Sequence, residues 1–164
     1  MILNRPIMSL RTGTQIGTTL SPIINPNNLK IEGFYCQDTQ RKRLVLLEQD
    51  IRDVLPQGLV VNDTDALTDP GELIRLKDIM DLRFELIGKH VVTVNKEKVA
   101  KVNDYATEIQ SMMIKKLYVS QSLFKNFATG SLGVDPTQIV EITRDKVIIQ
   151  ELEGKVPAAA KAVA

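Results

Sequence analysis

The chain has 164 residues, 43% of them hydrophobic and 25% charged, with a formal net charge of +1 and a single cysteine. That composition holds enough apolar material to offset the entropy of ordering the chain, so disorder over most of the length is excluded. One cysteine excludes an intramolecular disulfide, and neither half carries the strong positive charge of a body built to grip nucleic acid.

Only four Phe, three Tyr and no Trp are present, so the core is expected to be aliphatic. The first fifteen residues, MILNRPIMSLRTGTQ, lack the long apolar stretch of a secretory signal. No apolar run approaches the roughly 20 residues of a membrane-spanning helix. The expectation is a cytoplasmic protein with no membrane span.

Residues 6–20 hold two short apolar pieces around RTGT and predict a hairpin with Gly13 in its turn. Residues 21–28, SPIINPNN, read as a loop because two prolines and three asparagines crowd it. Residues 29–37 alternate and predict a strand. A charged turn at 40–43 leads to a short buried strand over 44–48. Residues 49–58 read as a turn that sends Ile51 and Val54 inward, and 59–62 as another strand.

The next segment predicts a helix over 70–82. Asp69 suits the N-cap, Pro70 the first helical position, and Glu72 falls three residues after the cap. Leu73, Leu76, Ile79, Met80 and Leu82 form one stripe at helical spacing. Strands follow at 84–94 and 98–104 around the turn NKEK, and at 112–121. Two more lie within 137–151 around TRDK. Residues 152–164 are rich in alanine and read as a flexible tail.

The two halves share a pattern. At an offset of 83, Ile16 falls on Val99, Ile31 on Ile114, Phe34 on Leu117, Tyr35 on Tyr118 and Cys36 on Val119. At an offset of 88, Ile51 falls on Ile139, Val54 on Ile142, and Leu59, Val60 and Val61 on Val147, Ile148 and Ile149. A period this long points to a duplicated domain, not a solenoid. Small sets of strands manage their edges by curling into barrels. The fold class expected is therefore mainly β, with two small β-barrels in tandem joined by a short helix. The first unit spans 6–69, the helix 70–82 and the second unit 84–151.

Residues 84–119, FELIGKHVVTVNKEKVAKVNDYATEIQSMMIKKLYV, resemble the PRC-barrel family. The likeness rests on Leu86, Ile87, Gly88, Lys89, Val102, Asp104, Ile114 and Leu117, and on the closing segment from Gln138 to Ile149. Asn95, Lys96 and Ala100 depart from it where the family usually has glycine. The first unit matches through residues 7–20, 29–36 and 49–62. The family includes a domain of a photosynthetic reaction-centre subunit, the C-terminal domain of a ribosome maturation factor and proteins tied to cell division. None of these uses the barrel as a catalyst. The resemblance therefore implies a non-catalytic adaptor that docks on another protein; the alternative is an RNA- or ribosome-associated factor.

Individual residues give catalysis little support. His90 is the only histidine and sits in a predicted strand beside Val91 and Val92, without a partner for general-base or metal chemistry. Cys36, beside Phe34 and Tyr35, reads as a small core hydrophobe. Asp63, Asp65, Asp69 and Glu72 form an acidic cluster, but it lacks calcium-loop spacing and two of its members already suit capping. No phosphate loop, dinucleotide fingerprint or nucleophile elbow is present. Neither a cofactor, a metal nor an enzymatic activity is expected.

Two sets of binding candidates remain. Leu123, Phe124, Phe127 and Leu132 lie in a segment the first unit mostly lacks, and form a candidate apolar patch for a protein partner. Arg41, Lys42, Arg43, Lys96, Lys98, Lys101, Lys115 and Lys116 form three basic spots, candidates for phosphate contact if they converge. The two units are expected to pack as an internal pseudo-dimer, burying aliphatic faces that a small barrel leaves open.

Overall fold

A computed structural model describes residues 3–120 and 132–150. The chain is mainly β, as expected. It groups into two compact units that do not follow chain order. One comprises Met1–Glu85 with Ala106–Lys115; the other comprises Leu86–Tyr105 with Lys116–Ala164.

The first unit holds strands β1 (Pro6–Ser9), β2 (Gln15–Asn25), β3 (Lys30–Asp38) and β4 (Arg43–Leu47). A 3-10 turn at Glu48–Asp50 follows, then β5 (Ile51–Leu55), β6 (Gly58–Val61) and the two-residue β7 (Leu67–Thr68). The ladder order is β5-β6-β1-β2-β3, with β4 on the far side of β3 and β7 on β4. All of these pairs are antiparallel except β1 with β6, which is parallel.

Strands β8 (His90–Thr93), β9 (Lys98–Glu108), β10 (Met113–Ser120) and β11 (Leu132–Val134) come next. After a 3-10 turn at Pro136–Gln138 come β12 (Ile139–Ile142) and β13 (Lys146–Ile149). Their ladder order is β12-β13-β8-β9-β10, with β11 on β10. This repeats β5-β6-β1-β2-β3-β4 strand for strand, including the parallel pair, here β13 with β8.

The registers repeat too. Ile7, Met8 and Ser9 stand opposite Leu59, Val60 and Val61. Val91, Val92 and Thr93 stand opposite Val147, Ile148 and Ile149. Ile51 pairs with Val61 and Val54 with Leu59, across a bulge; Ile139 pairs with Ile149 and Ile142 with Val147, across a bulge at the same place. The side chains that close these ladders are aliphatic and buried: Ile7, Leu59 and Val61 in one repeat, Val91, Val147 and Ile149 in the other, all fully buried. Burying each such side chain stabilises the fold by about 1.5–3 kcal/mol.

Several expectations need correction. The segment 21–28 is not a loop: β2 continues to Asn25, and Pro22 pairs with Phe34. Proline is tolerated there because the β1 ladder ends at Thr18 and, among the described residues, β3 is the only strand paired alongside. Burial of Ile23 and Ile24, each 3% exposed, holds the strand in place. The segment 49–58 is not a turn either; it contains β5, whose half-buried Ile51 and Val54 face β6.

A continuous helix over 70–82 does not form. Asp69 caps, and Pro70 opens, a 3-10 turn that ends at Glu72, where Leu73 leaves helical geometry. A separate five-residue helix, α1 (Lys77–Asp81), follows. None of the stripe residues is fully buried, and Leu82 is exposed, so the stripe gains too little burial to hold a longer helix. Both pieces belong to the first unit.

The strand expected over 84–94 shrinks to His90–Thr93. Arg83 and Gly88 take positive φ, 47° and 89°, and turn the chain before it. Sheet closure is also absent. The strand order of the first unit ends at β5 and that of the second at β12, and neither closes into a barrel. The Ala-rich tail at 152–164 lies outside the described residues.

Candidate functional site

Most of the β8–β9–β13 region is core on one side. Val91, Ala100 and Val147 are adjacent across the three strands and buried. Side chains alternate along a strand, so the residues one step earlier on β8 and β13, and one step later on β9, point the other way. Those residues are His90, Lys146 and Lys101. His90 stands opposite Lys101 on β9 and opposite Lys146 on β13, and all three are exposed.

Neighbouring strands lie about 4.8 Å apart, so this row spans about 10 Å of the face. Lys98, opposite Val92, extends it by one further exposed cation. At its edge the Lys89 ammonium donates to the carbonyl oxygen of Arg144, bringing the β12–β13 turn alongside. Among the described residues no carboxylate is ion-paired with Lys98, Lys101 or Lys146.

The three corresponding positions of the first repeat are uncharged. Thr18 stands opposite Pro6, and Gly58 lies against Pro6 so closely that an added methyl would sit 2.3 Å from the Pro6 carbonyl oxygen. The same three ladder positions therefore carry Thr18, Pro6 and Gly58 in one repeat and Lys101, His90 and Lys146 in the other. Over whole units the contrast persists. The first has eleven Lys and Arg against thirteen Asp and Glu; the second has ten against seven.

The expected basic spots are distributed over the two units. Arg41, Lys42 and Arg43 lie at the β3–β4 turn of the first, where Asp38 accepts from the Gln40 and Lys42 backbone N–H groups at 2.9 and 2.8 Å. Lys42 also sits 3.8 Å from Asp69. Lys115 and Lys116 are consecutive on β10 and point to opposite faces. Lys115 pairs with Glu108 at 3.6 Å. The Ser111 hydroxyl donates to Glu108, and with Lys115 it holds that carboxyl below the usual carboxylate range. The Lys116 ammonium lies 5.6 Å from the centre of the Tyr118 ring. Lys96 occupies the β8–β9 turn with φ 67°, and only Lys98 and Lys101 join the row described above.

An open groove of about 760 Å³ marks the first unit. Thr12, Thr14, Thr39 and Thr68 line it with Asp38, Asp65 and other polar residues, over Ile16 and Leu44. Of the acidic cluster, Asp65, Asp69 and Glu72 reach this groove, while Asp63 and Asp69 are used as caps, accepting from the Asp65 and Gly71 backbone N–H groups at 2.9 Å. Among the described residues no three His, Cys, Asp or Glu side chains form a group able to hold a metal.

Cys36 is fully buried, and burial pushes its thiol up to about 12, with Asp38 adding to the shift. Leu123, Phe124 and Phe127 of the apolar candidates lie outside the described residues. Leu132 opens β11, where its backbone pairs with Val119.

No family model matches the chain, and no curated protein matches its sequence.

The row through His90 was not legible from sequence. Its members are eleven and fifty-six residues from the histidine, and the parallel pairing of β8 with β13 brings the more distant one in. One signal was available: at the repeat offsets Lys101 falls on Thr18 and Lys146 on Gly58, so charge replaces neutral residues at matching positions.

Proposed function

We propose that the chain is a non-catalytic docking protein of the PRC-barrel type, in which two copies of a small β scaffold present different faces and bind another protein. The observation that carries this reading is the pairing of a repeated interior with a diversified exterior. Ladder order, parallel pairing, bulge position and buried aliphatic positions recur between the repeats. The matching ladder positions change from half-buried Thr18 and Pro6 and buried Gly58 to the exposed row Lys101–His90–Lys146. A scaffold kept while its surface chemistry changes suits recognition.

The two repeats form an internal pseudo-dimer in this reading. Its support is a reciprocal pair of hydrogen bonds inside the first unit. The Ile31 N–H donates to the Met112 carbonyl at 2.8 Å, and the Ile114 N–H donates to the Leu29 carbonyl at 2.9 Å. Leu29 and Met112 are equivalent in the repeats, as are Ile31 and Ile114. The localisation in the cytoplasm and the apolar segment around Phe124 are further parts of the proposal.

The test is affinity capture from a lysate of the source cell with nuclease present, followed by calorimetry on each captured protein after purification. A protein that binds the chain saturably at fixed stoichiometry is expected. Complexes that dissolve with nuclease, leaving RNA as the common component, would overturn the reading in favour of a ribosome-associated factor.

A further inference from the structure

We infer that the exposed row Lys101–His90–Lys146 on β9, β8 and β13 is the docking face of the second repeat, and that it takes an acidic segment of a protein partner. The inference rests on the docking reading above and names the chemistry of the partner.

Three observations carry it. First, the row is an ordered array and not scattered charge, because the ladder register fixes the three side chains on one face. An ammonium donates three hydrogen bonds and an imidazole N–H one more, so the row offers donors at roughly strand spacing, about 4.8 Å apart. Second, the core beneath it is closed. Val91 and Val147 are fully buried and Ala100 nearly so, which keeps the strands from shifting register and fixes the spacing of the charges. Third, the neutral counterpart in the first repeat shows that the scaffold does not need charge at these positions.

The choice of an acidic protein segment over RNA follows from what surrounds the row. Single-stranded RNA is held by aromatic platforms as well as phosphate contacts. Tyr105 on β9 is 5% exposed and so cannot stack a base. The second unit has an excess of only three positive charges, small for a phosphate-tracking surface and sufficient to pair with a few carboxylates. Glu141 on β12 and Asp145 in the β12–β13 turn border the charged row. They limit the length of anion that the row can hold, which suits a short acidic segment.

The test is fluorescence anisotropy with two labelled probes, a short poly-glutamate peptide and a short oligouridylate, each titrated with the full chain at low and moderate salt. Wild type is compared with Lys101→Glu/Lys146→Glu and with Lys101→Gln/Lys146→Gln, and thermal unfolding is followed for all three. Poly-glutamate binding that falls about tenfold or more in the charge-reversed protein, less in the neutral one, and weakens with salt is the expected result. The neutral variant keeps the test decisive if charge reversal disturbs folding. Equal peptide affinity in wild type and the folded variants would overturn the inference, as would tighter binding of oligouridylate than of peptide. If a captured protein partner binds both variants as well as wild type, the docking reading stands and this face is not the one used.

Discussion

Gly13 and Lys96 occupy the same position in the two repeats and take the same left-handed backbone conformation, with φ of 67° in both. Each lies in the turn that joins the first strand of its repeat to the second. The Gly13 N–H donates to the Ser9 carbonyl at 2.8 Å, and the Lys96 N–H donates to the Thr93 carbonyl at 2.9 Å. The first turn is one residue longer, so the first strands of the repeats are related by 84 residues where the second strands are related by 83. Glycine adopts this conformation without a Cβ clash, whereas lysine pays for it.

Replacing Lys96 by glycine should therefore stabilise the protein by about 1 kcal/mol, and replacing it by valine should destabilise it by a similar amount or more. Urea unfolding checks this through the transition midpoint at unchanged slope. A lower midpoint for Lys96→Gly would mean that the lysine side chain contributes more than its backbone strain costs.

Glycine at position 33 is required for a different reason. A methyl there would stand 2.6 Å from the Leu46 carbonyl oxygen on β4, and backbone cannot yield as a side-chain tip does. Gly33→Ala should cost about 1–3 kcal/mol. Thermal unfolding of the variant would show a lower Tm; an unchanged Tm would show that β4 moves away freely.

Cys36 and Val119 are equivalent, and both are fully buried. Cys36→Val should therefore cost less than about 1.5 kcal/mol, since the second repeat packs valine at this position. The same burial predicts that a disulfide reagent leaves the folded protein unlabelled at pH 8 and labels it promptly in denaturant. Prompt labelling without denaturant would contradict the packing of β3.

Alkaline pH should weaken the fold. Burial raises Cys36 to about 12 from 9.0 and Tyr105 to about 12 from 10.0. Both are acids that the folded protein holds protonated to higher pH than the unfolded chain does. Their contribution is complete below about pH 9 and is lost as pH climbs toward 12, because the unfolded state binds fewer protons there. The slope approaches about 1.4 kcal/mol per pH unit for each group. Stability measured between pH 8 and 11 should fall; a flat profile would mean that neither group is shielded.

Where local pattern agreed with the tertiary environment, the sequence was readable. The apolar pattern of Leu29, Ile31, Phe34 and Cys36 appears around β3, and the Gly13 turn appears as a hairpin. It misled where a strong local signal met an unexpected surrounding. Pro22 suggested a loop, yet it sits in a strand with β3 on one side and no β1 ladder on the other. Helical spacing from Leu73 to Leu82 suggested a helix, yet the stripe is only half-buried and Leu82 is exposed. Gly88 and Arg83 interrupt the apolar run before β8 through backbone conformations that composition does not reveal. The charged row is the extreme case, since only the register of three strands defines it.

The most direct test of docking is calorimetry between the full chain and the captured partner, performed with wild type and with Lys101→Glu/Lys146→Glu. A saturable complex with wild type, weakened about tenfold or more in a variant of unchanged Tm, is the predicted result. Absence of any saturable protein complex with wild type would contradict the account.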